Sequence, residues 1–214
     1  MSQLVAFFDE QPIPTKGKID LSQVPLASAA EFRVVEGEIR SSLVYVLLQQ
    51  RSGKLLVPFA LFDEWSLRSR YNEALRVMSV LGASSVTSET FVETAVRRII
   101  RLGAGTTAAE RTKNMRKESS FDYRHVGAGG PPSDPRPLEW PDEPGLAAAV
   151  TNVLENGATE VEINIRSSRT HSVDGSLGVQ LRELGFHLGG MSEKTTASSL
   201  RIIATFPNHR KRWR

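Results

Sequence analysis

The sequence predicts an α+β protein: an antiparallel β-sheet with two amphipathic helices on one face, internally duplicated in a ferredoxin-like βαββαβ order, with long β-hairpins. Three observations lead there. They are a gapless repeat at an offset of 75 residues, a one-sided helical pattern in each half, and runs of period two around both helices.

The repeat pairs Glu64-Trp65 with Glu139-Trp140, Ala74 with Ala149, Gly82-Ala83 with Gly157-Ala158 and Val86 with Val161. Tyr71/Leu146, Leu75/Val150 and Met78/Val153 match as apolar positions. Six identities in the 23 positions from 64 to 86 exceed the one or two that a random match at about 6% per site would give. Two unrelated helices with similar ends are the alternative.

Taken in chain order, residues 1–41 read as a short strand and an irregular arm. Ser42–Gln50 and Lys54–Phe62 alternate around Arg51-Ser52-Gly53 as a hairpin, with Pro58 pushing the second strand toward an edge or a bulge. Leu67, Tyr71, Ala74, Leu75, Met78 and Leu81 recur every three or four residues, after a cap at Asp63 or Ser66 and before Gly82 as the stop. Ser85–Leu102 alternates as a long strand that returns over Glu118–Val126. This completes a first β-α-β half, 42–127. Segment 128–141 is a Gly/Pro-rich connection. The second half, 142–207, carries a helix with Leu146, Ala149, Val150, Val153 and Leu154 on one stripe, Pro144 in its first turn and Gly157 beyond its last. Strands follow at Glu160–Arg166 and Leu200–Phe206, and 208–214 is a basic tail.

Composition bounds the chemistry. The chain has 214 residues, 40% hydrophobic and 24% charged, enough for one domain or two small ones. With no cysteine, disulfides, thiolate metal sites and a Cys nucleophile are excluded. Basic residues exceed acidic ones, 27 to 24, which permits an anionic partner without requiring one. The N-terminus lacks a basic leader and no run approaches the ~18 apolar residues of a membrane helix, so a cytoplasmic protein, with membrane association left open, is expected. The four histidines are scattered and the GxG stretches at 102–110 and 127–132 do not continue as nucleotide-binding loops, so no metal or other cofactor is expected.

Three functional readings remain. The first is a non-enzymatic, oligomerising protein that engages anionic membranes through its hairpins and forms pores, as a toxin or defence effector. Val173, Leu177, Val179 and Leu181 alternate, and Leu184, Phe186 and Leu188 alternate in the opposite phase, as a lipid-facing hairpin would. This is an architectural analogy with β-hairpin pore formers, weakened by Arg98, which shares a face with Val96 and Ile100. The second is a nucleic-acid-binding module. Arg97, Arg101, Arg116, Lys117, Arg210, Lys211, Arg212 and Arg214, with Arg98, Arg111, Lys113, Arg166 and Arg169 nearby, could track phosphates, and Tyr123 or Trp213 could stack on bases. The third is an enzyme around Asp122, His125 and Glu139. Neighbouring strand residues point to opposite faces, so Asp122 does not serve a catalytic His125 directly. Each reading has its requirement: Leu177, Val179 and Leu181 exposed or releasable, Arg97, Arg101 and Arg116 on one surface, or His125 beside a carboxylate in a pocket.

Overall fold

The computed structural model describes residues 3–15, 19–50, 53–98, 110–117, 123–166, 175–189 and 196–208. The chain divides into two units, the first formed by Met1–Ser66 with Ser168–Thr195 and the second by Leu67–Ser167 with Thr196–Arg214. The α+β class holds, with two sheets where one was expected.

In the first unit, β1 (Gln3–Phe8), β2 (Leu21–Pro25), β3 (Arg33–Val34), β4 (Val44–Gln50) and β5 (Gly53–Pro58) form a sheet in the order β2-β1-β4-β5-β3. The residues expected as an irregular arm thus supply two strands, each pairing in parallel with a neighbour, β1 with β2 and β5 with β3. β1 and β4 are apolar on successive residues because both sheet faces are covered. Val5, Phe7, Tyr45 and Leu56 pack on one side, and Ala6, Val44, Val46, Leu55 and Val57 on the other. Tyr45 is fully buried but not orphaned. Its hydroxyl accepts from the Arg40 amide at 2.9 Å and donates to the Glu38 carbonyl at 3.3 Å, and burial raises its pKa.

Two strand expectations fail here. The strand at Lys54–Phe62 stops at Pro58, whose ring removes the ladder donor; Phe59–Leu61 make a 3₁₀ turn and Phe62 opens a helix. The alternation at 177–181 is helical: α3 spans Ser176–Glu183. Leu177, Leu181 and Leu184, spaced by four and three residues, fit a helix as well as a strand, and the core at Phe59 and Phe62 selects the helix. Gly185, at φ 90°, then turns the chain so that Phe186 and Leu188 enter the same core. His187 meanwhile exchanges backbone hydrogen bonds with β4: its amide donates to the Ser42 carbonyl and its carbonyl accepts from the Val44 amide, each at 2.8 Å.

In the second unit, β6 (Ser85–Arg98), β7 (Glu110–Lys117), β8 (Tyr123–Val126), β9 (Glu160–Arg166) and β10 (Thr196–Thr205) form an antiparallel sheet in the order β7-β6-β10-β9, with β8 also on β6. After the first helix the long strand is present as β6, but its return is β7 at Glu110–Lys117 and not the expected Glu118–Val126; of that stretch the described residues Tyr123–Val126 form β8, a second partner of β6. A ferredoxin-like order would place two parallel strands at the centre, whereas the central pair here, β6 and β10, is antiparallel. Helices α1 (Phe62–Val80) and α2 (Pro144–Leu154) supply Leu67, Tyr71, Ala74, Val77, Met78, Leu146, Ala149, Val150 and Val153 to a core closed by Val161, Ile163, Ile165, Leu200, Ile202 and Ala204. Each buried Val, Leu, Ile or Met side chain of this set contributes roughly 1.5–3 kcal/mol. Several repeat positions take matching places. Gly82 and Gly157 both adopt positive φ, 78° and 65°, just past a helix, and Val86 and Val161 are both buried in the strand that follows. Trp65 and Trp140 differ, Trp65 packing on the first unit's core and Trp140 on the second's.

The Gly/Pro-rich connection lies inside the second unit and is tied to α1 along its length. At the helix end, the Ala83 amide donates to Met78 and the Gly82 amide to Ser79, a Schellman closure. The amides of Gly130 and Ser133 then donate to the Gly82 and Val80 carbonyls at 3.1 and 3.0 Å. A Cβ on Gly82 would run into the Gly130 carbonyl. About two turns back, Glu73, only 2% exposed, forms a two-point ion pair with Arg76 at 2.6 and 2.7 Å and accepts the Glu139 amide at 2.9 Å. Arg76 also donates to the Pro135 carbonyl at 3.1 Å. Trp140 donates from Nε1 to Ser69 at 3.0 Å, and the Arg70 guanidinium lies 4.8 Å over its ring.

Two predictions follow from this packing. Glu73→Gln weakens the Arg76 pair and the hold on the Glu139 amide and lowers stability by about 1–3 kcal/mol, toward the lower end because Arg76 is partly solvated, as read by urea denaturation. Val179, 41% exposed on α3, tolerates Val179→Asp within about 0.5 kcal/mol, whereas Leu181→Ala at a fully buried position costs about 2–5 kcal/mol in the same assay.

Candidate functional site

The second unit's sheet has two unlike faces, and strand parity assigns residues to them. Val86 and Ser88 of β6 are buried beneath the helices, Ser88 with its hydroxyl 3.2 Å from that of Tyr71. Even positions of β6 therefore share the helix-covered face and odd positions the open one. On the open face the described side chains are mostly polar, with Ile203 of β10 and Val126 of β8 as the apolar exceptions. Glu162 of β9 accepts from Arg201 of β10 at 2.7 Å and from Asn164 at 3.0 Å. Those two hydrogen bonds, Arg201 first, hold its carboxyl below the usual carboxylate range.

The register of β6 with β7 extends the parity to the hairpin. Phe91, Glu93, Ala95 and Arg97 stand opposite Lys117, Met115, Lys113 and Arg111 on the open face. Val92, Thr94, Val96 and Arg98 stand opposite Arg116, Asn114, Thr112 and Glu110 on the other. The open face of the ladder thus carries four basic positions, Arg97, Arg111, Lys113 and Lys117, against one acidic, Glu93. Two of them, Arg97 and Arg111, are partners in the register. β10 pairs with β6 only as far as Thr94, so among the described residues Ala95–Arg98 pair with β7 alone. Three of the four basic positions, all but Lys117, lie on this two-stranded stretch.

The sequence-derived sets are redistributed by this geometry. Of the expected basic cluster, Arg97 and Lys117 share a face, Arg116 falls on the opposite one, and Arg101, Arg210, Lys211, Arg212 and Arg214 lie outside the described residues. Arg111 and Lys113, secondary in the sequence, join Arg97 because a cross-strand partner is set by register, which no local pattern reveals across the connection 99–109. The expected lipid-facing set is mostly interior. Leu181, Phe186 and Leu188 are buried in the first unit's core, Leu177 is packed against it, Val179 is exposed on the helix, and Val173 lies outside the described residues. His125 is exposed on β8, opposite Val86 in register, and Glu139 is exposed on the connection, held through its backbone amide by Glu73. Asp122 lies outside the described residues. Among the described residues, no group of three His, Cys, Asp or Glu side chains could hold a metal ion, and no helix is long and apolar enough to cross a membrane.

The Glu162 pair makes a prediction about acid. A carboxyl with a depressed folded-state pKa contributes stability above its unfolded pKa and loses it as pH falls through the folded value. Arg201→Ala removes the larger cause, so the Glu162 carboxyl should titrate at higher pH by NMR in the variant than in the parent. Comparison with known proteins finds no family model, no curated protein and no solved structure that matches this chain.

Proposed function

We propose that this chain is a non-enzymatic binding protein whose β6–β7 ladder is a cationic ribbon for nucleic acid. The observation that carries the reading is the register: Arg97, Arg111, Lys113 and Lys117 on one face, with Arg97 facing Arg111 across the ladder. Folding gains nothing from opposing like charges, while a phosphate placed between them removes the repulsion and releases bound counterions. A two-stranded antiparallel ribbon also has the width that the major groove of a B-form duplex admits.

The same cations would attract an anionic bilayer, but insertion of this hairpin is disfavoured by its own parity. A lipid-facing strand pair needs one continuous apolar face, and each Arg or Lys at the bilayer centre costs about 2–4 kcal/mol. Charged positions fall at both parities of the register: 97, 111, 113 and 117 at one, 98, 110 and 116 at the other. Insertion of the 177–188 segment would in addition require extracting Leu181, Phe186 and Leu188 from the core. A bilayer partner therefore stands as an outcome of the test.

The experiment is fluorescence anisotropy with a mixed-sequence duplex over a range of salt, with co-sedimentation on anionic liposomes and dye release in parallel. Four phosphate contacts predict a slope of log K against log salt of about −3.6 on duplex, and Lys113→Ala should reduce its magnitude by about 1. Arg111→Glu with Lys113→Glu should abolish binding. Arg111→Glu alone should weaken binding while raising stability by roughly 0.2–1 kcal/mol, because it replaces a like-charged pair with an opposite one. Binding unchanged in the double variant, or liposome binding with dye release that the duplex does not compete away, would overturn the reading.

A further inference from the structure

We infer that β9 is a self-pairing edge through which two copies of this chain join their second-unit sheets. β9 ends the order β7-β6-β10-β9, and among the described residues nothing pairs with its outer side. Of the usual protections of an edge the strand has only charged side chains, Glu160, Glu162 and Arg166 on its open face: over its seven residues, Glu160–Arg166, there is no proline, no lysine, no bulge and no inward-pointing charge, and its burial alternates without interruption.

The backbone orientation follows from one hydrogen bond. The Phe206 amide donates to the Thr159 carbonyl at 2.8 Å, which makes 159 and 206 a hydrogen-bonded pair of the β9–β10 ladder. Such pairs alternate, so Val161, Ile163 and Ile165 direct their amides and carbonyls at β10, and Glu160, Glu162, Asn164 and Arg166 direct theirs outward. The Arg166 carbonyl agrees with this assignment, since it meets a side-chain donor of Arg70 at 3.5 Å rather than a β10 amide.

The sequence of the strand is self-complementary when run antiparallel about Ile163. Glu160 then faces Arg166 of the second copy, Glu162 faces Asn164, Val161 faces Ile165, and Ile163 faces itself. Every polar residue meets a polar one on the open face, and both ends of the strand form an opposite-charge pair. The parity also agrees, because the outward-directed residues 160, 162, 164 and 166 become the hydrogen-bonded pairs of the new ladder. The contact is isologous, so it closes at two copies and does not propagate as a fibre. A second copy of this chain is therefore the occupant that the charge pattern selects over an unrelated strand.

The test is sedimentation equilibrium over a wide concentration range with three variants. Asn164→Pro removes an outward amide and leaves the β10 ladder its own donors, so it should raise the dimer dissociation constant at least tenfold with an unchanged far-ultraviolet circular dichroism spectrum. Glu160→Arg, a change at an exposed position, should raise it several-fold, and combining it with Arg166→Glu should restore the parent value. A parent that stays at its 23.6 kDa chain mass up to hundreds of micromolar overturns the inference. So does a dimer that Glu160→Arg leaves unchanged, or one that the charge swap does not rescue.

Discussion

The second unit depends on one buried carboxylate. Glu73 sits on α1 at a position that the helical stripe would give to an apolar residue, between Tyr71 and Ala74 and only 2% exposed. A charge there is costly unless it is paired and hydrogen-bonded. Arg76 supplies two donors and the Glu139 amide a third, and Arg76 reaches onward to the Pro135 carbonyl. The carboxylate therefore does two things together: it neutralises itself and it fixes the path of a connection whose Gly and Pro content gives it little structure of its own. That connection then places Trp140 against the core and delivers the chain to Glu143 and the start of α2.

Once the two helices are seated, the sheet beneath them acquires a covered face and an open face, and the functional proposals follow from that division. The covered face is apolar on β9 and β10 and sets strand parity at Val86, Val161, Ile163 and Leu200. Parity carried along β6 brings Arg97, Arg111, Lys113 and Lys117 to one side of the ladder. Parity carried along β9 turns Glu160, Glu162, Asn164 and Arg166 to the open face and their backbone groups to the free edge. The proposed nucleic-acid ribbon and the proposed self-pairing edge thus lie at opposite borders of the same sheet.

The first unit shows how the same residue spacing can serve two periods. Leu177, Val179 and Leu181 alternate as a strand would, yet Leu177, Leu181 and Leu184 also lie on one helical stripe. The deciding factor is which residues find a core. Leu181 is fully buried while Val179 is 41% exposed, as a helix requires and a half-buried strand forbids. Phe59 and Phe62, released from the expected β5 by Pro58, pack in that core too, so one misread strand end and one misread helix share a physical origin.

By itself the sequence determined what depends on near neighbours: the two helices with their Gly82 and Gly157 stops, the β4–β5 hairpin, the alternation of β9, and the exclusion of all cysteine chemistry. These are legible because capping, turn geometry and amphipathic period act over a few residues. Strand order, the parallel pairs in the first unit, the helical state of 176–183 and the grouping of Arg111 and Lys113 with Arg97 were decided only in the tertiary structure. Each of those depends on register or on burial against residues far away in the chain, and a strand's polar face looks the same in sequence whichever partner lies beside it.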